Sequence, residues 1–526
     1  MNMKPERLAQ YNTFQENHLG FKGIIAGVAD ELIPDGYVPD MQNLKIRVDG
    51  IAETVVNPQS ITPPAGEGAT TRKELKSIFV WQQDDGTNVL LVQYGPNLYR
   101  RDVDHWHEIL NGAGHAFGTS TEKASYAGGM MDELYIVNKD TQCMKLTNAF
   151  TLTTLPNGPK GKYITLWKNR LFIGCVTAFY GLSATTSASG SAETLPFGAA
   201  SSAVIWSNIG LVDDMHGGAT HDNGWYTGGI IALRTPENSA CTGLLPVQEN
   251  LLMFTESAIF SFSGYAESNF SSFDYYHGAN TPKDNAVAAA GGVYYVSDDG
   301  FYALSTEPKK ISDSVSQLID PTDALVSCTY FDSRVWFCTG HTLVALNVAT
   351  AAWEKYQYGT PGLETQDIIF AGDHLYLGMG TTGNVLELDV ESVETPGYKT
   401  WYLATPVHNQ GITSGDKRYK TLFVYARNTN SPISASSELD YGAGNPISPD
   451  IVGLEIREGW GTMLWGAEAT SGHGHWTVLS AKIVVFKRTI LGDVARTISL
   501  RFNGSGEAAL LGYAIVYSPK RKFGVR

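Results

Sequence analysis

Little in this chain suggests a secretory leader, a membrane span or a redox module. The first twenty residues, MNMKPERLAQYNTFQENHLG, hold no apolar core of signal-peptide type. No run of eighteen apolar residues occurs, so no membrane span is expected. Cysteine is scarce: Cys143, Cys175, Cys241, Cys328 and Cys338 make an odd count with no CxxC pair. Cys175 and Cys338 sit in apolar runs, where a thiol behaves as a small buried hydrophobe, and synthesis in a reducing cytoplasm fits best. Charge is also low, at 17% of residues, and acid outweighs base, 53 to 38. A net charge of −15 argues against a broad phosphate-gripping face. It does not argue against a wall that surrounds a nucleic acid and lets it slide. Helix-period stretches are rare, the best being residues 4–16. No GxSxG elbow, HExxH pair or P-loop is present. The expectation is therefore no enzyme, no cofactor and no catalytic or metal-ligating set.

What the chain does have is aromatic residues, at 11%, and 55 glycines. Flat side chains pack well on a pleated surface, and glycine supplies sharp turns. A two-strand unit recurs. Short apolar runs begin at Leu90 (LLVQYG), Leu134 (LYIVNK), Leu171 (LFIGCV), Leu251 (LLMFTE), Val293 (VYYVSD), Val335 (VWFCTG) and Leu375 (LYLGMG). Partners follow at Asn97 (NLYRRD), Gln142 (QCMKLT), Ala178 (AFYGLS), Ala258 (AIFSFS), Gly300 (GFYALS), Thr342 (TLVALN) and Asn384 (NVLELD). The starts lie 37 to 44 residues apart except for one interval of 80. That period is one of four-stranded propeller blades, none able to bury its own faces alone. The long interval hides either an eighth blade or an insertion. Residues 184–203 are rich in small polar side chains, which favours an insertion and about seven blades. Outer strands are expected at 105–110, 150–155, 271–276, 308–313 and 353–358.

The spacing is lost after about Lys399, where 420–427, 483–487, 497–502 and 514–518 read as strands of a β-sandwich-like domain. The expected class is all-β. A lead-in segment and first strand cover 1–56, a propeller covers 57–398 with an insertion around 184–240, and a C-terminal β domain covers 399–526. The basic end, 518–526, is either a docking tail or a solvated terminus.

Several motifs have a plainer reading beside the chemical one. Gly378, Gly380 and Gly383 spell GxGxxG, but a strand follows where a dinucleotide site needs a helix, so the motif reads as a hairpin turn. Ser297-Asp298-Asp299-Gly300-Phe301 resembles part of an Asp-box yet lacks its closing Thr-Trp, and Asp84-Asp85-Gly86 is an ordinary turn. His105 with His107, His473 with His475, and the set Asp213, Asp214, His216, His221 and Asp222 could each present metal donors, but none has a diagnostic partner pair. The loop 210–229 is the best place to look for a bound ion. Tyr99-Arg100-Arg101 stands alone, so no nucleic-acid recognition surface is expected.

Three segments carry a family resemblance. IPDGYVPDMQNLKIRVDGIAET, within 23–54, leads through Asn43 into an alternating strand. WKNRLFI from Trp167, VIWS from Val204 and LLMFTESAIFSFSG from Leu251 follow in order. FKRTILG from Phe486 then runs into 497–502 and 512–516. The order resembles that of the tail adaptor, nozzle or tail tubular proteins of short-tailed bacteriophages. The resemblance implies a virion structural subunit made in the host cytoplasm. Identical copies, commonly six, would form a ring around the genome exit channel. It would sit as a head–tail connector between portal or adaptor proteins and a distal needle or fibre. DNA would pass during genome ejection without sequence recognition. The insertion near 184–229 and the C-terminal domain are expected to supply many subunit contacts. The alternative is a glycan-binding or glycan-cleaving propeller of a tail or cell surface. A cellular scaffold propeller is a further possibility that the lead-in segment and C-terminal domain speak against.

Overall fold

The computed structural model describes residues 13–520, apart from 65–73, 156–157, 179–199, 208–228, 266–268, 279–280, 283–285, 320–324, 359–365, 412–414, 428–432, 443–444, 452–482, 490–493 and single positions 104, 113, 131, 236, 341 and 381. Among the described residues, seven four-stranded blades form a propeller. The first is Leu75–Gln82, Asn88–Tyr94, Asn97–Asp102 and His105–Asn111. The second is Ala124–Met130, Glu133–Asn138, Thr141–Thr147 and Leu152–Thr154, and the third is Lys160–Trp167, Arg170–Ala178, Ala203–Trp206 and Gly229–Ala232. The next three span 241–277, 286–310 and 325–356, each with its strands hydrogen-bonded in chain order. The seventh takes Gln366–Ala371, Leu375–Met379 and Val385–Glu391 from late in the chain, and Pro58–Ile61 from its beginning. First strands lie side by side around the axis, and Gln366–Ala371 returns to Leu75–Gln82 to close the circle.

The apolar runs of the repeat are the second and third strands of each blade. They are sandwiched between neighbouring blades, so both faces are buried. Arg334–Thr339, Leu343–Asn347 and Leu375–Met379 are buried throughout. Such strands read as continuous hydrophobic stretches and not as alternation. Outer strands such as Ser271–His277 are mostly exposed. The interval of 80 takes in the connections that follow Ala178 and Trp206 between strands of the third blade. The partner expected at Ala178 is a correction: its third strand is Ala203–Trp206, with Phe172 opposite Trp206. Residues 179–183 of that expected partner lie outside the described residues.

The chain's two ends build one sandwich. One sheet combines Phe14–Leu19, Leu44–Ile46 and Ala52–Thr54 with Lys417–Arg427, Ile483–Thr489, Val494–Ala495 and Ala509–Pro519. The other joins Asp40–Gln42 to Trp401–Ala404, Ile433–Leu439, Asn445–Ile451 and Ile498–Gly504. The lead-in segment is thus strand material of the C-terminal domain. The helical reading of 4–16 is corrected at its described end. Phe14–Leu19 is an edge strand paired with Ala509–Pro519, and its Glu16 and His18 alternate inward with period two. Residues 1–12 are not described.

One hydrophobic core runs from the sandwich, through Met41, Leu403, Tyr419 and Phe502, into the fifth and sixth blades at Phe301, Phe337 and Trp353. Phe301 and Phe337 stack with centroids 4.2 Å apart. The lead-in strand passes so close to the sixth blade that a Cβ on Gly23, at φ +108, would lie 2.7 Å from the Trp353 nitrogen. Glycine is required there by both the backbone angle and the space.

Candidate functional site

Three places gather polar groups with defined geometry. The first is the seam between propeller and sandwich. Asn43 is buried and left-handed, at φ +58. Its side chain donates to the Thr400 carbonyl (2.7 Å) and accepts from the Gln357 amide (2.9 Å), while its own amide bonds the Lys355 carbonyl (2.9 Å). One residue thus ties the lead-in segment, the sixth blade and the first strand of the C-terminal domain. Asparagine suits the position because it tolerates left-handed backbone and offers both a donor and an acceptor.

Beside it, Arg334 and Glu354 of the sixth blade form a buried pair, their side chains 5% and 0% exposed. Arg334 donates from Nε to Glu354 Oε2 (2.8 Å) and from Nη2 to Oε1 (3.2 Å). The pair also holds both backbone polar groups of Ile46: Nη2 donates to its carbonyl (3.0 Å), and its amide donates to Glu354 Oε1 (2.8 Å). The Tyr356 hydroxyl donates to Glu354 Oε2 (2.6 Å). Burial opposes the Arg334 charge, Glu354 more than offsets that, and the guanidinium pKa lies above its ordinary value.

The second place is a cavity of about 220 Å³ among the first strands, lined by Ser77, Tyr126, Lys162, Ser327 and Phe370 among others. Ser77 and the Tyr126 hydroxyl lie 2.8 Å apart, and burial raises the Tyr126 pKa.

The third is a cavity of about 360 Å³ in the sandwich, between Phe14–Leu19 and the segment after Trp401–Ala404. Glu16 and His18 share one strand face, and His408 is fixed by reciprocal backbone bonds with Ile498 (2.8 and 3.1 Å). One donor atom from each of Glu16, His18 and His408 lies within 4.8 Å of the other two, and the two imidazole centroids are 4.2 Å apart. His18 Nδ1 faces Asp35 Oδ1 at 2.9 Å, and His408 Nε2 faces the Tyr513 hydroxyl at 2.7 Å. Tyr513 is the cross-strand partner of His18 and stacks on it. Burial opposes His18 protonation, but Glu16 and Asp35 outweigh it and raise its pKa. Burial, with His18 beside it, lowers His408 to about 4. The His18 imidazole holds Glu16 below its usual range. Among the described residues this is the one group of three or more such side chains placed to hold a metal ion.

Of the motifs singled out from sequence, Gly378–Gly383 spans the turn between two strands of the seventh blade, and the Gly383 carbonyl accepts from the Tyr94 hydroxyl (2.6 Å). Asp299 turns a hairpin and accepts from Tyr302 and Lys310. Asp85 caps its turn by accepting from the Thr87 amide (2.8 Å). His105 and His107 are exposed on an outer strand and are not brought together with a third donor. Arg100 lies over the Phe150 ring (4.0 Å), and Arg101 faces Glu387 (3.8 Å), so both bridge blades. The set at 213–222, His473 with His475, the loop 210–228 and residues 521–526 lie outside the described residues. The Glu16–His18–His408 group escaped sequence reading because His408 lies far from the other two in the chain and Glu16 ended a stretch read as helical.

No protein-family model and no curated protein matches the sequence. Solved structures do align. One, described as the extracellular domain of a hybrid two-component system from B. thetaiotaomicron, matches with TM-score 0.42 and 9% identity over 69% of this chain and 42% of that chain. This chain therefore spans less than half of that structure's length. BamB from Moraxella catarrhalis matches with TM-score 0.37 and 11% identity, over 65% of this chain and 94% of its own. PorZ, a surface component of the type-IX secretion system of Porphyromonas gingivalis, matches with TM-score 0.40 and 11% identity, over 82% and 61%. Among the described residues, no helix is long and apolar enough to cross a membrane.

Proposed function

We propose that this chain is a structural subunit of a phage tail, a ring-forming nozzle or adaptor between the portal–connector and the distal tail. The observation that carries the reading is where the resembling segments fall. The lead-in segment, with Asn43, is the clamp between propeller and sandwich. The ordered central motifs are strands of the third and fourth blades. The C-terminal motif supplies strands of both sandwich sheets. Two of the three resembling segments thus lie where the two β bodies are joined into one unit, as a part that transmits load would require.

The axial cavity of one propeller, about 220 Å³, is far too small for a duplex. DNA would therefore run along the axis of the assembled ring, past subunits whose net charge of −15 discourages sticking. A closed ring of identical subunits uses two different faces of each to meet its neighbours. The test is native mass spectrometry and electron microscopy of the purified chain, with immunolabelling of particles. Rings, commonly of six, and label at the tail would support the reading. Monomers alone together with unlabelled virions would refute it.

A further inference from the structure

We infer that Glu16, His18 and His408 bind a divalent transition-metal ion of the zinc class, which fastens the edge strand Phe14–Leu19 to the segment following Trp401–Ala404. Two imidazoles and one carboxylate suit a borderline metal and not Mg²⁺ or Ca²⁺, which prefer all-oxygen shells. Donors around tetrahedral zinc stand roughly 3.4 Å apart. Here His18 Nε2 and Glu16 Oε2 are 3.8 Å apart, and all three donors lie within 4.8 Å. Small side-chain rotations would bring them into range.

A second observation points to a missing guest. Glu16 Oε2, His18 Nε2 and Gln410 Nε2 are buried without a hydrogen-bond partner. Buried polar atoms are normally satisfied, and three orphans in one cavity are costly. A cation between His18 Nε2 and Glu16 Oε2 would satisfy two of them. The cavity has room for a water in the fourth position, beside the Gln410 amide. The outer groups are also in place. Asp35 holds His18 Nδ1, the carboxylate–histidine arrangement that orients a metal-binding ring and raises its basicity. The Tyr513 hydroxyl, 2.7 Å from Nε2, orients the His408 ring.

The experiment is titration of the full-length, chelator-treated chain with Zn²⁺, and separately with Co²⁺ for its visible absorption. Hydrogen exchange of 14–19 is followed with and without metal. The expected result is one equivalent bound per chain, with exchange in 14–19 slowed by the metal. Glu16→Gln and His408→Gln should weaken binding at least tenfold, Asp35→Asn about tenfold, and His105→Gln/His107→Gln should leave it unchanged. Each variant is checked for the wild-type circular dichroism spectrum. Glu16, on an edge strand and only partly buried, is the variant to read where a histidine replacement fails to fold. Absence of saturable binding near one equivalent, equal binding by wild type and Glu16→Gln, or loss of binding only in the His105/His107 variant would overturn the assignment.

Discussion

Replacing Arg334 by methionine tests whether the propeller and sandwich are held by a buried charge pair. The substitution removes the Glu354 contacts at 2.8 and 3.2 Å and the 3.0 Å bond to the Ile46 carbonyl. Glu354, 0% exposed, would keep only the Tyr356 hydroxyl and the Ile46 amide. Breaking a buried pair from one side costs about 3–5 kcal/mol, because the remaining charge is stranded. Glu354→Gln should cost less, since Arg334 retains Asp332 as a counter-charge, with Nη1 3.4 Å from Oδ2. The double variant should be milder than the sum of the two by about 2 kcal/mol or more, because neither partner is then left charged and alone. Hydrogen exchange of a peptide covering 44–46 reads the seam directly. A loss of 3 kcal/mol speeds exchange through local opening on the order of a hundredfold. Equilibrium urea unfolding supplies the cycle. Exchange within a few-fold of wild type in Arg334→Met, together with additive single and double effects, would refute the reasoning.

Three further outcomes follow from particular residues. Asn43→Ala strands the Thr400 carbonyl and the Gln357 amide and keeps the left-handed backbone; it should cost about 2–5 kcal/mol in urea unfolding. Asn43→Gly, which relieves the backbone strain alone, should be milder by roughly 1 kcal/mol. All five cysteines are free and buried, and burial pushes Cys241 and Cys328 up to about 12. A thiol reagent at pH 8 should therefore react with none in the native chain and with five after denaturation; rapid native labelling of Cys241 or Cys328 would contradict the packing. His374 faces Asp389 at 2.8 Å, and that hydrogen bond raises its pKa against a smaller effect of burial. The raised folded value means the pair stabilises below the ordinary histidine pKa and the benefit fades as pH rises through the folded one. With His374 41% exposed, the effect stays under about 1 kcal/mol. An imidazole NMR titration should show the midpoint above the ordinary value and its return in Asp389→Asn.

The legible part of this fold was the part buried on two faces. LYIVNK and VWFCTG stand out because neighbouring blades cover both sides of those strands, leaving no room for polar alternation. Two first strands were silent. ASYAGGM at Ala124–Met130 and AVAA at Ala286–Ala289 carry small residues and little hydrophobic signal, since they run along the axis. Pro58–Ile61 was equally hidden: PQSI has one fully buried apolar residue, and its partner, Val385–Glu391, lies at the far end of the propeller. Asn43 was marked by its place before an alternating strand, but its role depends on Thr400 and Gln357, which no local pattern connects to it. The Glu16–His18–His408 group failed for the same reason, compounded by a helical reading that ended at Glu16, inside the strand Phe14–Leu19. Sequence periodicity reports which faces are covered, whereas a site assembled across distant strands leaves no period to read.

The closing strand explains why the two bodies cannot be separate modules. A propeller ring opens wherever its terminal strand detaches, and here that strand has four residues. Its pairing alone is a weak latch. The chain on either side is zipped to the chain leaving the seventh blade: Asn57 and Gly397, Asn57 and Ser392, and Val55 and Lys399 exchange backbone bonds of 2.8–2.9 Å. Beyond Val55, Ala52–Thr54 is already in the sandwich, bonded to Leu44–Ile46, whose Ile46 the Arg334–Glu354 pair grips. Detaching the latch therefore requires unzipping the crossing, freeing Asn43 and breaking a buried ion pair together. The sandwich, built from both ends of the chain, acts as the clasp that keeps the wheel shut. Force applied to the sandwich reaches the ring through several short, parallel hydrogen-bonded paths and not through one flexible linker.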